Sequence, residues 1–443
     1  MNRRDFLALT AAAFAAPSLR AQERPAWRAG VARADITPRM SMWMAGYAAR
    51  KHASQGVALP LAAKALVLTY RDGPPAVIVT IDLLGITGDM AGRIAADVER
   101  RFSIPRDRLL INASHTHSGP VIDSQLIVAY DLTTAHLRRI DEYTAWLETQ
   151  IVDTIARALK TMSPATVSVG ESTATFAANR RTQFVPEGPV DHRVPVLRVD
   201  VRGAPRAILF GYACHNTTLQ ADWLKFHGDY AGVAQAALEK AHPGATAMFI
   251  AGCGADANPK PRGSVELATQ HGESLARAVS SSFSSLVPVD GPVDARMRVV
   301  DLPFAPYPDR DGWELRAKAD NVYLQRHARL MLDLLDRNGS LPTAQPDPVQ
   351  VWHFGRDLVL IALGGEVVVD YALRFTRERP GTRVWVAGYS NDVFGYVPSR
   401  RVLDEGGYEG GGAMLYYGRP GRFDASVEER IVSAVNDLAR SLR

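Results

Sequence analysis

The stretch Leu109-Leu110-Ile111-Asn112-Ala113-Ser114-His115-Thr116-His117-Ser118-Gly119-Pro120 decides how this chain is read. Leu109 to Ile111 form a short apolar run, the pattern of a buried strand. Gly119 and Pro120 then break the backbone into a loop. Side chains two apart on a strand point to the same side. The spacing therefore predicts that His115 and His117 face one region just past a strand's carboxyl end, where ligand sites of α/β sheets open. Two converging imidazoles suit a transition-metal site or an acid/base site. They also suit a structural pair, so partners elsewhere in the chain must decide.

Working outward, residues 61–70 and 75–82 are apolar runs separated by Asp72-Gly73-Pro74-Pro75, a hairpin signal. Residues 88–102 and 139–162 read as helices, and strands are expected at 165–174, 194–201 and 206–213. A helix at 230–241 precedes a strand at 246–251, and helices follow at 264–284 and 312–337. Residues 339–348 are polar, contain prolines and read as a linker. Strands at 350–355 and 357–363 form a second hairpin, after which Gly364-Gly365-Glu366 opens a helix. A strand at 383–388 leads into a Gly- and Tyr-rich loop, and a helix at 424–442 closes the chain. Hairpins mixed with strand–helix units predict an α/β fold, a mixed sheet with flanking helices. Several strands run into Gly-rich loops bearing His or Asp, so one active-site rim in a single domain over 28–443 is expected.

The chain has 443 residues, 47% hydrophobic and 22% charged, enough to bury a large core. Net charge is +4, with no Lys/Arg block and no basic–aromatic interleaving, which argues against a nucleic-acid partner. Arg3-Arg4 before the apolar run Phe6 to Ala16 reads as a twin-arginine (Tat) export signal over residues 1–21. That run is too short to be a permanent transmembrane helix, and no later stretch is long and apolar enough. The expectation is a soluble periplasmic or secreted protein whose oligomeric state is left open. Cys214 and Cys253 allow at most one disulfide, which is no disulfide scaffold.

Four more segments place polar groups beyond apolar runs: His215 after Ile208–Ala213, His227-Gly228-Asp229 ahead of a helix, Asp256 in the Gly252–Pro259 loop, and Glu366 after Leu358–Leu363. His115, His215 and Glu366 make a His₂Glu set of the kind that holds zinc and keeps a position for water or substrate. Such a metal lowers the pKa of bound water and polarises a carbonyl. The separations form no short zinc signature. A core histidine at 215 and a helix-terminal carboxylate at 366 fit the same residues.

Ordered motifs add to this. Gly30 to Pro38, Ser114 to Pro120, Ala178-Asn179-Arg180, Val190-Asp191-His192, Cys214-His215-Asn216 and Gly228 to Gly232 occur in one series. Gly254-Ala255-Asp256, Asn258-Pro259, Gly365-Glu366, Ser390-Asn391, Gly395-Tyr396-Val397 and Tyr408-Glu409-Gly410 continue it. The series resembles the neutral, non-lysosomal ceramidase family in its amino-terminal catalytic domain, over residues 28–440. That resemblance implies a zinc amidase splitting an N-acyl bond of a lipid-like substrate. It implies His115, His215, Glu366 and Tyr396 as zinc ligands, His117 beside the substrate hydroxyl or oxyanion, and Arg180 on the acyl carbonyl. Asp229 and Asp256 would orient ligands or accept protons.

Two departures qualify what the resemblance implies. Where the family carries a serine before an Asn-Ala-Gly-Asp run, this chain has Gly252 with Cys253 beside it. Metal-activated water or the Cys253 thiol would then supply the nucleophile. Members known for ceramide cleavage carry a further carboxyl-terminal β-sandwich, and this sequence ends at Arg443 without one. The expected activity is hydrolysis of an exported amide. The alternatives are a metal-dependent phosphoesterase and a non-catalytic periplasmic binding or scaffold protein on a degenerate hydrolase fold.

Overall fold

Period-2 apolar patterning and fully apolar runs set the strands of the computed structural model, which describes residues 26–442. The expected signal at 1–21 lies outside the described residues. The first part of the chain supplies β1 (Trp27–Asp35), β2 (Ala62–Tyr70), β3 (Ala76–Ile81), β4 (Leu109–Ala113), β5 (Ser163–Thr173), β6 (Ala177–Asn179), β7 (Arg193–Val201), β8 (Ala204–Tyr212), β9 (Thr246–Ala251), β10 (Ala257–Pro259) and β11 (Val287–Pro288). Its helices are α1 (Gly88–Phe102), α2 (Thr134–Lys160), α3 (Asp229–Ala241) and α4 (Val265–Ser281). The main sheet runs β4-β3-β2-β1-β5-β7-β8-β9, with β11 paired to β5. The remainder adds β12 (Val293–Pro303), α5 (Arg310–Arg316), α6 (Val322–Asn338), β13 (Ala344–Phe354), β14 (Leu358–Ala362), β15 (Glu366–Val367), α7 (Val369–Arg377), β16 (Val384–Ala387), β17 (Tyr396–Val397), α8 (Arg400–Glu405) and α9 (Val427–Ser441). Here β12-β13-β14-β16 form the second sheet.

The two sheets pack face to face with helices outside, giving four layers. On β2, Ala65 and Val67 point toward the cluster that includes Ile151 and Ile155 of α2. Leu66 and Leu68 point the other way, into a cluster shared with Trp352, Leu360 and Trp385 of the second sheet. On β13, Val349 and Val351 face Tyr371 of α7 and Ile431 of α9. Strands covered on both faces read as continuous apolar runs, and β3 is buried at every position. Helix α1 shows the complementary pattern. Thr87 caps it by accepting from Met90 N–H, and Met90, Ala91, Ile94, Ala95 and Val98 form its buried stripe.

Within the two large sheets three strand pairs are parallel: β3–β4, β8–β9 and β14–β16. A parallel pair needs a crossover, and α1, α3 and α7 supply one each. Asn112, near the end of β4, laces the carboxyl ends together. Its Oδ1 accepts from Ala251 N–H at 2.9 Å and its Nδ2 donates to Gly388 O at 2.7 Å. All three pairs therefore deliver their loops to one place. No helix among the described residues is long and apolar enough to cross a membrane.

Four expectations need correction. The helix read over 312–337 is two helices, because Asn321 caps α6 by accepting from Tyr323 and Leu324 N–H. The linker read over 339–348 runs into β13. Pro346 and Pro348 are tolerated there because that stretch pairs only with β12. The edge strand β12 was missed because charged residues interrupt its apolar positions. Glu366 opens no helix. It sits in β15, paired in parallel with Tyr396 of β17, and α7 starts three residues later at Val369.

Candidate metal centre

The two histidines of the opening motif meet, though not by strand alternation. Strand β4 ends at Ala113, and His115 adopts φ 61°, a left-handed conformation uncommon for a residue with a Cβ. The kink brings His117 Nε2 to 3.2 Å from His115 Nε2. Asp229, Tyr389 and Asn391 are also left-handed. Tyr389 packs its ring on His115 at 4.3 Å.

His115 and His215 are each anchored from beyond the neighbouring strand of their own parallel pair. His115, beyond β4, faces Leu84 O beyond β3 with its Nδ1, at 2.6 Å. His215, beyond β8, faces Gly254 O beyond β9 with its Nδ1, at 2.8 Å. A carbonyl only accepts, so both Nδ1 atoms carry a proton, which leaves each Nε2 with its lone pair in the neutral, metal-binding form of the ring. Those Nε2 atoms each lie 3.0 Å from Oε2 of Glu366, which the third parallel pair delivers. Tyr396 Oη is 3.2 Å from His215 Nε2. The ring nitrogens of His115, His117 and His215 lie within 4.8 Å of one another.

Lone pairs facing a carboxylate oxygen repel unless a cation or proton lies among them. The donor set therefore fits a metal ion, with the carbonyl-bound Nδ1 atoms orienting the imidazoles. Electrostatics agrees. Burial lowers His215 to about 4, and the charge of Arg180 adds to this, so the ring is neutral as a ligand must be. Burial also pushes His117 well below its ordinary range, with His115 and His215 adding.

Arg180 reaches the same place from the short β6–β10 ladder. Its Nη2 donates to Tyr396 Oη at 2.9 Å and its Nε to Glu409 Oε1 at 2.7 Å. Glu409 Oε2 accepts from Arg181 at 2.6 Å, and the Arg181 side chain is 1% exposed. Asp256 does not reach the imidazoles. Its carboxylate accepts from Val369 N–H and Asn179 Nδ2, and its carbonyl accepts from Arg180 N–H. It positions the arginine strand against the start of α7, and burial raises it to about 6. Asp229 braces the turn after His215 by accepting from Leu219 N–H at 2.9 Å.

Cys253 lies away from this group, in an apolar cluster with Val367 and Ala372, and burial pushes its thiol well up. Both cysteines are free. Burial and a weakly acidic thiol remove the conditions that make a cysteine nucleophilic.

A cavity of about 240 Å³ opens on the imidazoles. His115, His117, Glu366 and Tyr396 line it together with Tyr47, Tyr408 and Tyr417, among other residues. Tyr47 packs on His117 at 4.7 Å, and Tyr417 donates to Glu366 Oε1. Gly46 backs His117, for a Cβ there would lie 2.3 Å from its Nδ1. Tyr47, Tyr417 and Gly46 escaped the sequence reading. The tyrosine density of 408–417 was the only local signal for Tyr417, and Tyr47 and Gly46 had none.

Comparison with known proteins agrees with the geometry. The sequence profile described as neutral/alkaline non-lysosomal ceramidase, N-terminal, matches residues 27–260, more than half of the chain. Neutral ceramidase A of Dictyostelium discoideum is 26% identical over 254 residues, covering 52% of this chain and 35% of that protein. The crystal structure of neutral ceramidase from Pseudomonas aeruginosa superposes with TM-score 0.76 at 20% identity, covering 95% of this chain and 75% of that one. A ceramidase complexed with C2 gives TM-score 0.75 at 18% identity, covering 95% and 76%. These likenesses support the α/β fold, and the profile match decides the family: this chain belongs to the neutral/alkaline non-lysosomal ceramidases.

Proposed function

We propose that this chain is an exported, zinc-dependent amidohydrolase that cleaves the N-acyl bond of a lipid-like amide. One observation carries the reading. In a member of a ceramidase family, the Nε2 atoms of two imidazoles converge on one buried carboxylate oxygen at the wall of a cavity. His115, His215 and Glu366 would hold the ion, with Tyr396 as fourth ligand. Zinc held there would supply Lewis acidity and would lower the pKa of a water to about 7.

The chain's own residues supply the rest. His117 is half-buried and neutral, and its Nδ1 has no partner among the described residues, so it can hold or pass a proton at the cavity wall. Arg180, beside Tyr396, steadies the negative charge that develops on a carbonyl oxygen. Water rather than Cys253 is the attacking group, given the burial of that thiol. A two-metal phosphoesterase is less well supported, because among the described residues Glu366 is the carboxylate that meets the imidazoles and no second one bridges. Export rests on Arg3-Arg4 ahead of the apolar run.

The test is metal analysis of protein purified without chelators, with turnover of N-acyl amides and phosphate esters by wild type and His115→Ala. The expected result is about one zinc per chain and N-acyl cleavage lost in the variant. Metal-free inertness supports the binding-protein reading instead, and turnover of phosphate esters alone supports the phosphoesterase. Retention of an Arg3→Lys, Arg4→Lys double variant in the cytoplasm tests export.

A further inference from the structure

Glu366 has two oxygens with different duties. Its Oε2 sits 3.0 Å from the Nε2 atoms of both His115 and His215. Its Oε1 accepts a hydrogen bond from the phenol of Tyr417. A carboxylate free at both oxygens can grip a cation with two bonds, whereas one tied at Oε1 offers a single bond. The second bond would occupy the coordination position that a substrate or water needs.

Tyr417 is well placed to enforce this. Its ring packs against three separate apolar clusters of the molecule: that of α1 and α2, that of α7 and α9, and that of α3 and α4. The chain turns immediately after it at Gly418, φ 64°, where a Cβ would meet Leu330. Arg419 Nε donates to Phe394 O at 3.0 Å, which ties this segment to the strand carrying Tyr396. The Tyr417 ring also meets the Tyr396 ring edge-on at 6.4 Å.

We propose that Tyr417 is a positioning residue that holds Glu366 to one-oxygen coordination and so keeps a place open on the metal. The proposal rests on the metal reading of His115, His215 and Glu366. Nothing in the opening motif marks Tyr417. It acts through Glu366 rather than on a substrate.

The test compares Tyr417→Phe and Tyr417→His with wild type. Zinc affinity is measured by chelator competition, and the visible spectrum is recorded after cobalt(II) substitution. Tyr417→Phe keeps the ring and loses the donor. The expected result is a 10- to 100-fold weaker zinc affinity, on the order usual for a lost partner of a metal ligand. The cobalt absorption also weakens as Glu366 adds its second oxygen. Tyr417→His, which returns a ring N–H, recovers at least half of the lost affinity on a logarithmic scale. Equal losses in both variants, with both folded, assign the effect to packing and overturn the proposal. So does an unchanged affinity and spectrum in Tyr417→Phe. If Tyr417→Phe does not fold, the affinity of Tyr417→His decides alone, and a loss beyond 100-fold overturns it. Failure of the wild type to bind zinc or cobalt is a different result, for it removes the metal reading itself.

Discussion

The two walls of the candidate metal centre are held by different means. On the histidine wall, His115 and His215 are anchored by main-chain carbonyls of Leu84 and Gly254, each just beyond the neighbouring strand of a parallel pair. On the tyrosine–arginine wall, side chains hold side chains: Tyr417 holds Glu366, Arg180 holds Tyr396, and Glu409 grips Arg180 and Arg181 together. A main-chain anchor survives a change of surface residue because the sheet supplies it. A side-chain anchor fails when one partner is lost, because the other is left buried and unpaired. The first wall is thus set by topology and the second by particular residues.

The sharpest way to break the contrast is to empty the histidine wall. His115→Ala should leave the fold in place while metal content falls to near zero. N-acyl turnover should drop by at least about 10³-fold, the loss of several kcal/mol of charge stabilisation. Retained metal with full turnover would mean that the ligands lie elsewhere. Next is the second wall. Glu409→Gln uncouples two arginines, one of them 1% exposed, and should cost about 3 kcal/mol in urea unfolding. A loss under about 0.5 kcal/mol, the size seen for surface pairs, would show that water reaches this fork.

Between the walls stands His117. Gly46→Ala places a Cβ against its ring at a backbone φ of 99°, so the imidazole must move. Displacement on the order of 1 Å should cost about 100-fold in turnover, with zinc content kept. Lost zinc together with lost turnover would instead make His117 a ligand.

The smallest effect concerns the corner beneath Glu366, where Asp347 accepts from Gly364 N–H at 3.1 Å. Burial raises Asp347 to about 7, and the charge of Asp392 adds to this. The folded chain therefore holds this proton more tightly than the unfolded chain. The resulting stability is complete below the unfolded pKa of about 4 and is lost as pH rises through 7. Asp347→Asn stays neutral and keeps an oxygen for Gly364. It should match wild type at pH 4 and exceed it by about 1–3 kcal/mol at pH 8.5. Equal unfolding midpoints at both pH values would show that Asp347 titrates normally.

The contrast between the walls is also the contrast between what was legible and what was not. Strands β2, β3, β4 and β9 were read almost to the residue, because sheets covered on both faces leave continuous apolar runs. His115 and His215 stood out as polar residues directly after such runs. The ordered motifs added Arg180 and Tyr396 through family resemblance. The edge strand β12 and the break before α6 were missed because charge and capping, not apolar period, define them. Tyr417 carries no signal beyond the tyrosine density of its loop. Its meaning lies in a contact with a residue 51 positions away.

By itself, the sequence determined the layered α/β class, the apolar strands and the histidines at their ends, because burial patterns and breaks are local properties of a chain. Only the tertiary structure decided that Glu366 leaves the helix expected for it, that Cys253 is packed away, and that one carboxylate oxygen faces two imidazoles. Those outcomes depend on which strand ends three crossovers bring together. Pairing of distant loops is set by the packing of two sheets, which no short stretch encodes.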